Sequence, residues 1–114
     1  MQSYRELEVW KLSMQLAHDV YFLTNDLPKS ELYSLTSQIR RAVVSVSANI
    51  AEGYGRNNRG EYIQFLGIAT GSLCELETLL YLADDLYQMK RVTELVDMCR
   101  RIGQMLRKLK ESLR

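Results

Sequence analysis

The chain has a single histidine, His18, and a single proline, Pro28, and each shortage excludes a class of protein. Nucleophilic catalysis by serine or cysteine needs a histidine base and an orienting acid. Ser45, Ser47 and Ser72 have only His18 to draw on. A di-metal carboxylate centre in a helical bundle needs Glu-x-x-His on two helices. Glu52, Glu61, Glu75 and Glu77 could supply carboxylates, but His18 has Gln15, not a glutamate, three residues before it. We therefore expect no catalytic residues, no metal and no cofactor, with His18 a surface or boundary residue. The serines fit close helix packing, or a bond to a carbonyl one turn back.

With one proline and only six glycines there are too few turn residues for an all-β chain. No uninterrupted apolar run reaches the roughly 18 residues of a membrane span. The first ten residues, MQSYRELEVW, are charged from Arg5 onward and lack the apolar core of a signal peptide. A cytoplasmic protein with no membrane partner is expected. Cys74 and Cys99 are the only cysteines, and neither sits in a CxxC or beside the histidine. Buried thiols are the expected reading, with a disulfide as the alternative.

What remains is a helix-forming chain. At 114 residues, 46% of them hydrophobic, residues 1–114 form one domain with enough apolar side chains for a core. A first helix is expected from about Tyr4 to Asn25, with Leu7, Trp10 or Lys11, Met14, Ala17, Tyr21 and Leu23 on its apolar side. Trp10 reads as a core residue. Pro28 ends this segment, because the residue before a proline avoids the helical region, and Ser30 reads as the next N-cap. A second helix runs from Ser30 or Glu31 to Tyr54, either continuous or with a first turn separate from its main body, and Gly53 and Gly55 bracket its end, where glycine is a common C-cap. The loop GRNNRG carries Arg56 and Arg59 and lacks the GxxxxGK[ST] pattern of a phosphate loop. The third helix starts near Arg59 to Glu61 and ends near Tyr87. Gln88 to Arg91 connects it to a fourth, from Val92 to Leu113, striped by Leu95, Met98 or Cys99, Ile102, Leu106 and Leu109. Short connections make neighbours antiparallel, so the fold class is all-α, an up-down-up-down four-helix bundle.

The second helix is unusual. Leu35, Ile39, Val43, Val46 and Ile50 make one apolar stripe. Gln38, Arg41, Ser45, Asn49 and Glu52 recur at the same steps, and Ala42, Ser47, Ala48, Ala51 and Gly53 fill the gaps. A solvated face would carry Lys and Glu, so this pattern predicts a helix buried on more than one side. The third helix answers with Phe65 or Leu66, Ala69, Leu73, Leu76 and Leu80, and with small residues at Gly67, Gly71 and Ser72. Folding back near residue 57 sets Ser45 beside Ala69 and Arg41 near Ser72 and Glu75. An unpaired buried arginine would cost roughly 3–5 kcal/mol, so we expect an Arg41–Glu75 pair supported by Gln38.

The run SQIRRAVVSVSANIAEGYGR, followed by EYIQFLGIATGSLCELE, resembles the four-helix-bundle proteins of the ribosomal-RNA intervening-sequence family. The family pattern is met by Gln38, Arg41, Ser45, Asn49, Ile50, Ala51, Glu52 and Gly53, then by Ala69, Gly71, Ser72, Glu75 and Glu77. Leu7 to Trp10 and the Pro28 connection also fit, so the likeness covers essentially the whole chain. It implies a small bacterial bundle protein, and for some members a ring-shaped homopentamer. Related bundle proteins accompany reverse transcriptases of diversity-generating retroelements and contact nucleic acid.

Two functions follow as expectations. One is a homo-oligomeric assembly module that binds other proteins. The other is an accessory protein that binds RNA or DNA, or a partner such as a reverse transcriptase. The net charge of +1 conceals an asymmetry, with eight basic against three acidic residues in 90–114 and seven against eleven before them. The basic segment, Arg100, Arg101, Arg107, Lys108 and Lys110, either serves a polyanion or is a solvated helix face near a C-terminus. Arg56 and Arg59 form a second candidate patch. The pI of about 7.7 is lower than that of a dedicated RNA binder, and no aromatic residue flanks the basic strip in sequence.

Overall fold

The structure, a computed structural model, describes residues 3–114. Its helices are α1 (Glu8–Thr24), α2 (Leu35–Tyr54), α3 (Arg59–Tyr87) and α4 (Val92–Ser112), with single 3-10 turns at Tyr4–Glu6 and Lys29–Glu31. No strand occurs among the described residues. Four residues join α2 to α3, and four join α3 to α4. Four residues reach at most about 14 Å, whereas the 20 residues of α2 extend about 30 Å. Each pair must therefore fold back on itself.

Cross-helix contacts agree. Ser45 faces Ser72 and Gly53 faces Phe65, so α2 and α3 run antiparallel. Glu77 meets Arg100 while Gly103 lies against Leu73, so α3 and α4 do too. Arg40 near the start of α2 reaches Thr24 at the end of α1. Arg91, just before α4, reaches Asp19 late in α1. Helices adjacent in sequence touch, and α4 closes against α1. The result is the up-down-up-down bundle expected, 43 × 23 × 20 Å.

The core is aliphatic. Leu35, Ile39, Val43, Val46 and Ile50 of α2 are buried, as are Leu66, Ala69, Leu73, Leu76 and Leu80 of α3. Leu95, Cys99, Ile102 and Leu106 complete it from α4. Helix α3 is long and apolar enough to cross a membrane by length and composition. Here its fully buried leucines, Leu66, Leu76 and Leu80, are core residues.

The first helix departs from the expected register. A 3-10 turn precedes it, capped by the Ser3 hydroxyl, and α1 itself begins at Glu8. Its buried positions are Val9, Ser13, Leu16, Val20, Leu23 and Thr24, mostly one residue round from the stripe read in the sequence. Ser13 hides this stripe, because a polar residue occupies a core position and donates its hydroxyl to the Val9 carbonyl at 2.7 Å. Trp10, Met14 and Ala17 flank the core half-buried, Tyr21 is exposed, and Trp10 packs edge-on to Tyr4 at 5.3 Å. Ser30 also differs from expectation, lying inside the Lys29–Glu31 turn rather than capping α2.

Only one of the two glycines closing α2 is its C-cap. Gly55 is the cap residue but keeps right-handed backbone, with φ −75°. Gly53 is needed for proximity, since a Cβ there would stand 2.8 Å from the Phe65 Cβ and 3.3 Å from the Tyr62 carbonyl oxygen. Asn58 then starts α3, its side chain accepting from the Glu61 backbone N–H at 2.7 Å while the Glu61 carboxylate accepts from the Asn58 amide. At the far end Gln88 and Arg91 take left-handed backbone, with φ 53° and 69°.

Gly53→Ala should therefore destabilise the bundle by about 1–3 kcal/mol, despite alanine's better helix propensity. Urea unfolding should show a lowered midpoint. An unchanged or raised midpoint would contradict the close approach.

Candidate functional site

The polar stripe of α2 lies on the outside of the α2–α3 pair. Gln38, Arg41, Ala48 and Glu52 are exposed, and Ser45 and Asn49 are half-buried. Ser45 shares a hydrogen bond of 2.8 Å with Ser72, one turn beyond the expected Ala69. Asn49 donates back along its own helix to the Ser45 carbonyl, at 2.7 Å, and to the Ser45 hydroxyl, at 2.9 Å. The expected Arg41–Glu75 ion pair is not found. Both residues are exposed, and with Gln38, Ala42 and Ser45 they line one groove of about 440 Å³ without bonding. Exposure explains this, because a solvated arginine needs no partner and a surface pair contributes little. Glu52 instead pairs with Arg56 at 2.8 Å.

The basic residues of α4 divide between two grooves. Arg100, Arg107 and Lys110 line the α3–α4 groove, about 310 Å³, together with Cys74, Glu77 and Cys99. Arg101 lines the α1–α4 side with Lys11 and Met105. Lys108 is exposed on the outer surface. Arg100 reaches the Glu77 carboxylate at 3.4 Å and donates to the Tyr81 hydroxyl at 3.3 Å. The basic strip therefore has an aromatic neighbour after all. It was missed because Tyr81 comes from α3, nineteen residues away in sequence.

Arg56 is held by Glu52 and Glu61 and lies over the Phe65 ring, 4.8 Å from its centroid. Arg59 is exposed at the first position of α3. Both sit at the end of the bundle that α4 reaches with Arg107, Lys108 and Lys110.

Three features had no clear signal in the sequence. A groove of about 580 Å³ between the end of α1, the Lys29–Glu31 turn and α2 is lined by Tyr21, Leu32, Tyr33, Arg40, Arg41 and Val44. Tyr33 is 92% exposed. A second apolar surface runs along the outside of α3, through Ile68, Leu82 and Leu86. Gly67 and Gly71 lie on that same face, and a Cβ at either would meet nothing within 4 Å. The third feature is the contact from Tyr87 to Glu31, which fastens the α1–α2 connection to the end of α3. This hydrogen bond raises the Tyr87 phenol above its ordinary value. Bonds from Ser34 and then Tyr87 lower the Glu31 carboxyl.

His18 is exposed, and no group of three or more His, Cys, Asp or Glu able to hold a metal occurs among the described residues. Cys74 is exposed and Cys99 buried, both as free thiols. Burial, followed by the Glu77 charge, pushes the Cys99 thiol up to about 12.

Fold and surface define a class, a small antiparallel helical bundle whose distinctive groups lie on its outer faces. Residues 5–108 match the family described as 23S rRNA-intervening sequence protein, and the chain belongs to that family. It is also similar to a crystal structure from Bacteroides thetaiotaomicron VPI-5482, a protein of unknown function from the S23 ribosomal protein family. The two are 25% identical with a TM-score of 0.78, over 90% of this chain and 97% of the other. No curated protein matches the chain.

Folded Cys99 keeps its proton to about pH 12, whereas an ordinary thiol loses it near 9.0. Above that lower value the unfolded chain binds fewer protons than the folded one, so stability falls as pH rises through this window. The fall in urea midpoint from about pH 8 to about pH 11 should be smaller in Cys99→Ala than in wild type. Equal falls would contradict the assignment.

Proposed function

We propose that the protein is a non-enzymatic cytoplasmic assembly module that forms a closed homo-oligomer, five copies being what the family resemblance implies. The observation that carries this reading is the outer face of α3. Gly67 and Gly71 each cost a helix interior about 1 kcal/mol relative to alanine, yet nothing within their own chain needs the space. A neighbouring helix would. Ile68, Glu75, Leu82 and Leu86 share that arc, and Leu86 is 57% exposed.

The groove around Tyr33 has complementary character. It is apolar, carries Arg40 and Arg41, and has no carboxylate in its lining. The α3 face offers leucines with Glu75 and Asp85. Both surfaces reach the same end of the bundle, where Tyr87 meets Glu31. Contact between unlike surfaces is heterologous and makes either rings or filaments. A closed ring results where the rotation between copies brings the last onto the first.

A second reading is favoured by the charge distribution. Arg56, Arg59, Arg107, Lys108 and Lys110 outnumber Glu52, Glu61 and Glu111 at one end of the bundle, whereas Glu31, Asp84, Asp85 and Glu94 outnumber Lys29, Lys90 and Arg91 at the other. Copies in a ring would present five such basic ends together and multiply weak phosphate contacts. Arg100 and Arg101 extend that surface along α4. In this reading the protein is an RNA-binding accessory factor.

Light scattering tests the assembly. Wild type should have a mass several-fold above 13.3 kDa, and five-fold if pentameric. Gly71→Arg blocks one surface and Tyr33→Asp the other, so each alone should remain near 13.3 kDa. An equimolar mixture keeps one intact pair of surfaces and should give about twice 13.3 kDa. Wild type at the protomer mass would refute assembly, and a mixture that stays monomeric would refute the heterologous contact.

A further inference from the structure

We propose that single-stranded nucleic acid lies along the α3–α4 groove, with one unstacked base on Tyr81 and backbone phosphates on Arg107 and Lys110. The proposal rests on the nucleic-acid reading above and names both the strand type and the track.

The rim of the groove is cationic, and its cations are unequally committed. Arg100 is tied to Glu77 and Tyr81. Arg107 and Lys110 have no carboxylate within ion-pair distance among the described residues. From Arg100 to Lys110 the helix advances about 15 Å, so the charges follow the groove as a line. Phosphate contacts of this kind position a strand without reading its sequence.

The floor is apolar. Leu73 and Gly103 lie together there, and a Cβ on Gly103 would come 3.9 Å from Leu73, so glycine leaves the groove open. Tyr81 stands beside the line of charge and is 46% exposed. Bases stack on such rings whatever their identity, which gives affinity with little sequence preference. In a duplex the bases are already stacked and paired, and cannot reach an aromatic ring at the side of a narrow groove. A cationic line, an apolar floor and one aromatic face therefore favour a single strand over a duplex.

The exposed thiol of Cys74 lines this groove, while Cys99 is buried, so alkylation of native protein reports on occupancy. The experiment measures anisotropy of a short fluorescein-labelled oligouridine, and of an RNA duplex of equal length, with intact protein at low salt. In parallel it measures the rate of Cys74 alkylation by iodoacetamide, with and without oligouridine. The single strand should bind at least about tenfold more tightly than the duplex and slow alkylation. Tyr81→Ala should weaken binding about tenfold, and Tyr81→Phe should leave it near wild type, because the ring and not the hydroxyl does the stacking. Arg107→Gln with Lys110→Gln should weaken binding and reduce the log–log salt slope by about 1.4. Binding without protection of Cys74, equal binding of duplex, or indifference to Tyr81→Ala would overturn the groove while leaving the nucleic-acid reading intact. No binding at low salt would overturn both.

Discussion

The bundle depends on how closely α2 and α3 approach. Gly53 against Phe65 brings the two backbones together at one end, and Ser45 against Ser72 fixes their register further along. Ala42 and Ala69, both buried, keep that seam narrow. A narrow seam leaves the larger side chains of both helices to point toward α1 and α4, where the leucine-rich core forms. Because α3 is the longest helix, with 29 residues, its register against α2 also decides where α4 lies.

The same approach accounts for what is left outside. When the apolar stripes of two helices are used on the inner side, their small and polar residues form a shared outer surface. That surface holds Gln38, Arg41 and Glu75, uncommitted to one another, beside glycines with empty space before them. Such groups are inexpensive to leave in water, because a solvated arginine or carboxylate needs no partner. One set of residue choices thus serves the core and leaves small and polar groups on the outer surface.

Most of the fold was legible because α2, α3 and α4 carry uninterrupted apolar stripes at helical spacing, bounded by short polar connections. The register of α1 was not. Its core stripe includes Ser13, satisfied by its own helix, while Trp10, Met14 and Ala17 imitate a stripe one residue away. The polar residues of α2 were readable as a group, but their exposure was not, since small residues serve a buried seam and an unfilled surface equally well. The Gly53 contact looked like a cap because glycine is common at helix ends for a different reason. Tyr81 beside Arg100 was invisible in the sequence, because the two meet only once α3 and α4 fold together. The Tyr33 groove was hidden likewise, being assembled from three segments.

The separation of charge along the bundle changes what the near-zero net charge means. In physiological salt a charge is felt over a screening length of about 8 Å, while the bundle is 43 Å long. A polyanion touching the end with Arg59, Arg107 and Lys108 is several screening lengths from Asp84 and Asp85, and does not register them. The isoelectric point sums both ends and so describes neither. One end carries an excess of base, Arg56, Arg59, Arg107, Lys108 and Lys110 against Glu52, Glu61 and Glu111, and the other a slight excess of acid, Glu31, Asp84, Asp85 and Glu94 against Lys29, Lys90 and Arg91. A charged partner would therefore sense the end it meets more than the sum over the chain.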